Sequence, residues 1–360
     1  MPGVQSSLNI IHLGPGNVGK AFLRILLEQK KLIQSVFGIK IIVSGIVRSD
    51  KYLFSRDGLS DKEIKKVINK DENLRWLNTP GQTHIKQLMR FIPKKSVLLD
   101  TSASDKTVDL LIYQLERGGF AVVSNKKTLI SELSDRKKFN PFQQSFFYET
   151  TVGAGLPVIS TVKDMIESGD KIEEIEGCFS GTLGFIFSEL EKGSPFSGAV
   201  LAAKELGYTE PDPRDDLSGI DVARKALILS RLLGKRISLK NIKTIPLYPE
   251  EMKRLSADEF LSQVHRLDSG YKKRLSNALR ERKTLRYVAV VTKNKTEVSL
   301  KEVQISGDIG SLKGPDNIIK IRSERYKANP MIIKGPGAGI EVTAAGVFAD
   351  LLKIIRILRA

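Results

Sequence analysis

The 360-residue chain has very little cysteine and histidine. Its single cysteine, Cys178, excludes an intramolecular disulfide and a cysteine-based metal site, and such low usage is typical of a reducing compartment. The three histidines, His12, His84 and His265, are scattered along the chain, so we predict no zinc site.

Long apolar runs are also missing. The chain contains no uninterrupted stretch of about 18 apolar residues, and its N-terminal MPGVQSSLNI lacks the basic and then apolar build of a signal peptide. We therefore predict a cytoplasmic protein that does not interact with a membrane. The hydrophobic content of 41% is ordinary for a globular protein, and the length suffices for two domains.

Charge, in contrast, is abundant, with a net value of +17 that could indicate a nucleic-acid partner. The basic residues occur in short clusters mixed with acids, such as DKEIKKVINK, and no basic module interleaved with aromatic residues is present. We therefore predict no nucleic-acid partner. A basic surface of this kind would steer anionic cofactors toward the protein.

The first 50 residues predict a βαβ unit. An apolar run, residues 9–13, leads into Gly14-Pro15-Gly16-Asn17-Val18-Gly19, an amphipathic segment follows, and a second apolar run ends at Arg48. In this fingerprint Gly14 makes a tight turn, Gly16 lets the backbone approach a pyrophosphate, and Gly19 allows close helix packing. The pattern predicts a dinucleotide site that includes Asn17 and Val18. A purely structural glycine turn is the alternative, which the flanking strand and helix disfavour.

The end of the second strand indicates which dinucleotide is bound. An acid at this position selects NAD through the ribose 2′-hydroxyl, whereas an arginine accommodates the 2′-phosphate of NADP. Arg48 stands there, with Ser49 beside it and Asp50 beyond. We therefore favour NADP and leave the use of NAD open.

Two further apolar runs, 96–104 and 120–127, flank a helical stretch and extend the predicted parallel sheet. Ligands bind such sheets at the carboxyl ends of the strands, which places Thr101, Ser102, Asn125 and Lys126 where cofactor and substrate would meet. Residues 1–148 are thus predicted as an α/β, Rossmann-type domain with a doubly wound parallel sheet. We predict a second, α+β domain at 149–334, and a C-terminal helix, 335–360, that packs back on the first domain.

An acid-rich segment, GYTEPDPRDDLSGIDVARK (207–225), is the most informative part of the chain. Pro211 and Pro213 are expected to hold the backbone out of helix, with Asp216 as the N-cap of the helix that follows. On that helix Asp221 and Lys225 lie four residues apart on one face. The spacing fits both a functional acid/lysine pair and a solvent-facing pair on a capped helix.

Six motifs, in order along nearly the whole chain, resemble the homoserine dehydrogenase family. They are GPGNVG (14–19), SNKK (124–127), YETTVGAGLPVI (148–159), SGTLGFI (180–186), the 207–225 segment and GPGAGIEVTAAGV (335–347). The resemblance implies a reversible, NAD(P)-dependent interconversion of L-homoserine and L-aspartate 4-semialdehyde in threonine, methionine and isoleucine biosynthesis. It also implies a homodimer built through the sheet of the second domain.

The resemblance further implies roles for individual residues. Lys225 is similar to the general acid/base lysine of the family, and Lys126 to its partner at the cofactor and substrate. The implied substrate residues are Glu210, Asp221, Tyr208, Thr182 and Asp216, with Asp215 in a supporting place. Gly207 and Gly339 resemble positions near the cofactor. A monovalent cation, usually sodium in this family, is implied at Glu149 and the carbonyl groups of Val152, Ala154 and Leu156.

The charge of homoserine accounts for the acids of the loop. Its α-ammonium group requires carboxylates, which Glu210 and Asp221 supply, while Lys225 serves proton transfer at the alcohol. Two alternatives stay open. One is a related oxidoreductase acting on another semialdehyde or an amine, and the other is a basic Rossmann-type binding protein without turnover.

Overall fold

The computed structural model describes residues 6–71, 73–78, 92–130 and 139–359. The chain forms two compact units, one of Met1–Gly155 with Gly339–Ala360, the other of Leu156–Ala338. It therefore crosses between units at 155/156 and 338/339, where the sequence predicts boundaries at 148/149 and 334/335.

Both units combine helices with strands. The first unit contains, in chain order, β1 Ser6–Leu13, α1 Asn17–Phe37, β2 Ile39–Val47, β3 Lys51–Phe54, α2 Asp61–Ile68, β4 Leu77–Asn78, β5 Ser96–Asp100, α3 Val108–Glu116, β6 Phe120–Val123, α4 Lys126–Ile130 and β7 Phe146–Phe147. The second contains α5 Val158–Glu167, β8 Ile172–Cys178, α6 Gly181–Glu191, α7 Phe196–Glu205, α8 Pro213–Leu217, α9 Ile220–Leu232, β9 Lys243–Thr244, α10 Ala257–Gln263, α11 Asp268–Arg280, β10 Lys283–Thr292, β11 Thr296–Gln304, β12 Asp316–Ser323 and β13 Met331–Pro336. The final helix, α12 Ile340–Arg359, returns to the first unit.

The described strands of the first unit form one sheet in the order β4-β3-β2-β1-β5-β6-β7. The pairs from β2 to β7 are parallel, and the β2/β3 and β3/β4 pairs are antiparallel. Alternate residues of β1, Leu8 and Ile10, join a core that α1 and α12 complete with residues such as Phe22 and Val347. The predicted Rossmann-type α/β fold is confirmed.

Two strands of this sheet are shorter than the apolar runs that predict them. β5 ends at Asp100 because the Asp100 carboxylate accepts a hydrogen bond from the backbone N–H of Ser102 (2.8 Å), which turns the chain. β6 ends at Val123, and α4 begins at Lys126. Thr101, Ser102 and Asn125 therefore lie in the loops at the carboxyl ends of the strands, and Lys126 opens α4 directly after the second loop.

The second unit has a sheet in the order β13-β12-β8-β10-β11-β9 and is largely antiparallel, as the second α+β domain requires. Helices α6, α9 and α11 contact its central strand, β10. Cys178 belongs to a small core on the sheet with Val288, Ile309 and Ile318, and burial raises the pKa of its thiol to about 12. Cys178 is therefore a core residue of the second unit.

Candidate active site

The dinucleotide turn follows β1 and opens α1. Gly14 has φ +78°, a conformation that favours glycine, and a Cβ there would lie 2.6 Å from Cα of Ser102. At Gly19 a Cβ would lie 2.7 Å from the carbonyl oxygen of Gly14. Gly16 differs from these two glycines, because a Cβ there would meet no atom within 4 Å. Gly16 is also the N-cap of α1, and no side chain caps the helix there. The turn therefore has room for a ligand beside free N–H groups of the helix, as the fingerprint requires.

Two hydrogen bonds between residues distant in the sequence support this turn. The local sequence pattern does not reveal them. The Thr101 hydroxyl donates to the Gly14 carbonyl (2.7 Å) and accepts from Nε2 of His12 (2.8 Å). Burial lowers the pKa of His12 to about 3, so the imidazole is neutral and carries its proton on Nε2. The hydroxyl of Thr101, predicted to lie at the cofactor, thus shapes the glycine turn.

Asp100 ties together the loops after β5 and β6. Its carboxylate accepts from the Thr107 hydroxyl (2.6 Å), the Asn125 amide (3.2 Å) and the Ser102 backbone (2.8 Å). Burial raises the pKa of Asp100, and these hydrogen bonds act in the opposite direction. Asn125 thereby fixes the start of α4, where Lys126 stands. The sequence places Asn125 and Lys126 correctly at a strand end, but the organising role of Asp100 is apparent only in the fold.

A basic cluster surrounds the end of β2. The Arg48 guanidinium lies 5.3 Å from the centre of the Trp76 ring, and the Lys51 ammonium lies 5.5 Å from it. Burial lowers the pKa of Lys20, and the nearby charges of Lys70 and Arg48 lower it further. Arg48 was the one member predicted from the sequence. Lys20, Lys51, Lys70 and Trp76 join it only through the fold.

In the second unit the acid-rich segment differs from its predicted conformation. Pro213 is the first residue of α8, and the Asp212 carboxylate caps that helix by accepting from the backbone N–H of Arg214 (3.0 Å). The prediction of a non-helical loop with Asp216 as the N-cap of the next helix was wrong, because proline is compatible with the first helical position. Asp216 lies inside α8, and Gly219, with φ +73°, is the N-cap of α9.

The predicted substrate residues converge within this unit. Asp216 accepts a hydrogen bond from the backbone N–H of Glu210 (2.8 Å), and the Thr182 hydroxyl donates to the carbonyl of Tyr208 (2.6 Å). Burial raises the pKa of Asp216, and the charges of Glu210 and Asp221 raise it further. The cluster is therefore crowded with negative charge, which favours a cationic group of a ligand.

Lys225 lies beside this cluster on α9. Its ammonium group is 2.9 Å from the Asp221 carboxylate and donates to the carbonyl of Phe179 (2.6 Å). The Lys225 side chain is only 11% exposed, against 38% for Asp221. The predicted i, i+4 pair is confirmed, and the alternative of a solvent-facing pair is wrong. Phe179 was missed, because a backbone carbonyl contact leaves no mark in the sequence.

The segment predicted to hold a cation is also well defined. Glu149 is buried, its carboxylate lies 3.0 Å from the ammonium group of Lys353, and its backbone N–H donates to Asp350 (2.9 Å). Gly153 and Ala154 have φ of +81° and +52°, which reorients the carbonyl groups of this turn. The ammonium group of Lys353 also lies 2.9 Å from the Asp350 carboxylate, so three charged groups meet beside this turn, and burial raises the pKa of Asp350. Within the described ranges, however, no group of three or more His, Cys, Asp or Glu could hold a metal.

A cavity of about 540 Å³ lies between α7 and α11, next to Pro195, Phe196 and Tyr271. It contains none of the residues predicted to act on cofactor or substrate. We therefore place the candidate site at the glycine turn and its neighbouring loops in the first unit, and at the acidic cluster with Lys225 in the second.

Comparison with known proteins adds to this geometry. Residues 157–352 match the family model of homoserine dehydrogenase. The chain belongs to the homoserine dehydrogenase family. A homoserine dehydrogenase of Saccharomyces cerevisiae is 36% identical over 96% of this chain and 98% of its own length.

Other members of the homoserine dehydrogenase family are longer. A chloroplastic bifunctional aspartokinase/homoserine dehydrogenase of Zea mays is 38% identical over 97% of this chain, which spans only 38% of that relative. Among solved structures, a hyperthermophilic archaeal homoserine dehydrogenase in complex with NADPH superposes with a TM-score of 0.73 at 25% identity, covering 96% of this chain and 97% of that one. Across the described residues, no helix has the length and apolar character needed to span a membrane.

Proposed function

We propose that the chain is a homoserine dehydrogenase that interconverts L-homoserine and L-aspartate 4-semialdehyde with a nicotinamide dinucleotide. The observation that carries this proposal is the buried Lys225 ammonium group, held between a carboxylate and a carbonyl beside an acidic cluster. The yeast homoserine dehydrogenase, matched over nearly its full length, supports the same activity. The step would serve threonine, methionine and isoleucine biosynthesis.

Lys225 performs the proton transfer in this proposal. When the aldehyde is reduced, its ammonium group donates a hydrogen bond to the carbonyl oxygen and then the proton to the developing alkoxide. In the reverse direction the neutral amine accepts the proton of the alcohol. The bound dinucleotide supplies the hydride or takes it up. Lys126, which opens α4 in the first unit, is the second proposed catalytic lysine.

The acids bind the amino acid. The α-ammonium group of homoserine pairs with Glu210 and Asp221, while Asp216 holds the backbone of Glu210 in place. Thr182 and Tyr208 fix the edge of this cluster through their hydrogen bond. Asp215 lies exposed on α8 and keeps the supporting place proposed for it.

The dinucleotide binds the first unit at Gly14, Gly16, Asn17, Val18 and Gly19, with Ser102, Gly207 and Gly339 as further proposed contacts. We infer a preference for NADP over NAD, because Arg48 belongs to a cluster of four cations that would surround a 2′-phosphate. The NADPH complex of the archaeal relative supports this preference. The Arg48 side chain over the Trp76 ring would present its guanidinium edge to that phosphate.

Two more proposals concern assembly and ions. A monovalent cation, sodium first, is proposed at Glu149 and the carbonyls of Val152, Ala154 and Leu156, beside the ammonium group of Lys353. A homodimer is proposed through the sheet of the second unit. The predicted cytoplasmic location and the functional boundaries 1–148, 149–334 and 335–360 stay predictions.

Replacing Lys225 with alanine tests the function. We expect Lys225→Ala to lower kcat by about 1,000-fold or more, since general acid/base catalysis contributes about 10²–10⁴-fold. Dinucleotide affinity should stay within about twofold, because Lys225 contacts Asp221 and Phe179, neither of which is proposed to bind the dinucleotide. Initial rates with L-homoserine and either NADP or NAD, together with fluorescence titration of NADPH, measure both quantities.

Lys235 is the matched control. It is another partly buried lysine of the second unit, and it donates to Thr292 (2.9 Å) and Thr296 (3.0 Å) away from the acidic cluster. Lys235→Met should reduce stability and leave kcat unchanged. Near-normal turnover in Lys225→Ala would contradict the assignment, and an inactive wild-type protein that binds NADPH would favour the binding-protein alternative.

A further inference from the structure

The amide of Asn317 is completely buried in the second unit. Its exposure is 0%, and neither its oxygen nor its nitrogen has a hydrogen-bond partner among the residues the structure describes. An amide offers two donors and an acceptor, and leaving them unmatched inside a protein is costly. A residue such as leucine would fill the same space without that cost, so the amide calls for a functional explanation.

The amide faces the glycine loop that leads from β13 to α12. Asn317 lies opposite Gly335 in the β12/β13 pair, and a Cβ on Gly337 would lie 1.9 Å from its amide nitrogen. Position 337 therefore accepts only glycine in this conformation. Gly339 has φ +131°, which side chains rarely adopt. The loop thus brings the backbone at Gly337 directly against the amide.

The residues just before Asn317 contact the helix that bears part of the substrate cluster. A Cβ on Gly181 would lie 2.8 Å from the carbonyl oxygen of Pro315, and one on Gly184 would lie 3.5 Å from that of Asp316. Both glycines belong to α6, which carries Thr182. Asn317 therefore stands between the glycine loop and the helix that orders the substrate residues.

We propose that Asn317 is a positioning residue for the reaction, and that residues 337–339 take up a second conformation in which their backbone groups hydrogen-bond to the Asn317 amide. Binding of dinucleotide and amino acid favours that conformation. The amide is retained because it stabilises the ligand-bound state, although it lowers the stability of the ligand-free protein. The inference rests on the proposed dehydrogenase function and adds a residue that does not touch the substrate.

Asn317→Leu separates this role from a structural one. Removing an amide that has no hydrogen-bond partner should either leave the Tm of the ligand-free protein unchanged or raise it. We expect kcat/KM for homoserine to fall at least about tenfold, since two or more amide hydrogen bonds are lost only in the bound state. The rise in Tm produced by NADPH with homoserine should also shrink relative to wild type.

Ser323→Ala is the control on the same strand. Ser323 is equally buried, but its hydroxyl donates to the Asp170 carboxylate (2.6 Å), so its loss should lower Tm and leave kinetics unchanged. A lower Tm with normal kinetics in Asn317→Leu would overturn the proposal, as would no change in either quantity. A wild-type protein that lacks turnover would instead refute the dehydrogenase function.

Hydrogen exchange keeps the inference testable if Asn317→Leu does not fold. In the wild-type protein, backbone amides of residues 337–339 should exchange more slowly with NADPH and homoserine than without them. Unchanged exchange in this loop, measured alongside protection of the 14–19 turn, would reject the second conformation while leaving dinucleotide binding intact.

Discussion

At the scale of single residues, His12 shows how burial decides a charge. The imidazole is fully buried next to Phe22, with ring centres 5.7 Å apart, and it donates to Thr101 beneath the glycine turn. A charged imidazole would be strongly destabilised there, so the ring stays neutral. Because the pKa of His12 is about 3, the neutral ring and its hydrogen bond to Thr101 persist at any pH well above that value.

His12 makes the stability of the protein depend on pH. Its pKa is 6.5 when unperturbed and about 3 in the fold, so between these values the unfolded chain binds a proton that the folded chain does not. Its contribution is complete above pH 6.5 and is lost as pH falls toward 3. Between about pH 7.5 and 5 the wild type should lose about 2 kcal/mol more unfolding free energy than His12→Leu. Urea unfolding at both pH values measures this, and identical pH slopes would disprove it.

At the scale of elements, the start of α9 depends on its N-cap residue, Gly219. Gly219 has φ +73°, and a Cβ there would lie 1.9 Å from the hydroxyl oxygen of Tyr287, which itself donates to the carbonyl of Ile245 (2.8 Å). The start of the helix is therefore set by a close contact with β10. Because Asp221 stands in the first turn of α9, an error in this contact would displace the acid and then Lys225.

Gly219→Ala should therefore damage both stability and catalysis. We expect a loss of about 2 kcal/mol or more from backbone strain and the clash, with a clear fall in kcat. Adding Tyr287→Phe removes the hydroxyl and should recover part of the loss. At the other end of α9, Gly234 has φ +81° with open space around its Cβ position, so Gly234→Ala should cost only the strain and keep kcat. Equal losses in both alanine variants by urea unfolding and steady-state kinetics would refute the contact argument.

At the scale of the whole molecule, the net charge of +17 makes self-association through a basic surface unfavourable. One face of the sheet in the second unit differs, because on adjacent strands Lys320 lies opposite Glu176 and Arg322 opposite Glu174. Burial raises the pKa of Glu176, as does Glu174, while Lys301, Lys320 and Arg322 lower it. A face with both signs of charge can pair with a copy of itself, which suits the proposed homodimer.

Light scattering should therefore find twice the mass of one chain. Lys320→Glu makes the face acidic in both copies, and we expect the mass to shift toward that of a monomer. Combining it with Glu176→Lys restores both signs and should restore the dimer. Urea unfolding of each variant separates loss of association from loss of fold. A monomeric wild-type protein would remove the basis for the proposal.

The sequence alone determined the features that depend on neighbours in the chain. The glycine spacing at 14, 16 and 19 and the i, i+4 spacing of Asp221 and Lys225 follow from the geometry of one turn and one helix, so both could be predicted. The same local reasoning failed at Pro213, because proline excludes the interior of a helix but suits its first turn.

Only the tertiary structure decided which distant residues meet. The contacts of His12 with Thr101, of Arg48 with Trp76 and of Glu149 with Lys353 join positions that no local pattern relates. Burial is decided at the same level, since it makes Lys225 an inward-facing lysine and leaves the Asn317 amide without a partner in the described chain. Local geometry therefore supplied the chemistry of the individual groups, and packing of distant segments supplied their charge states, their partners and their surroundings.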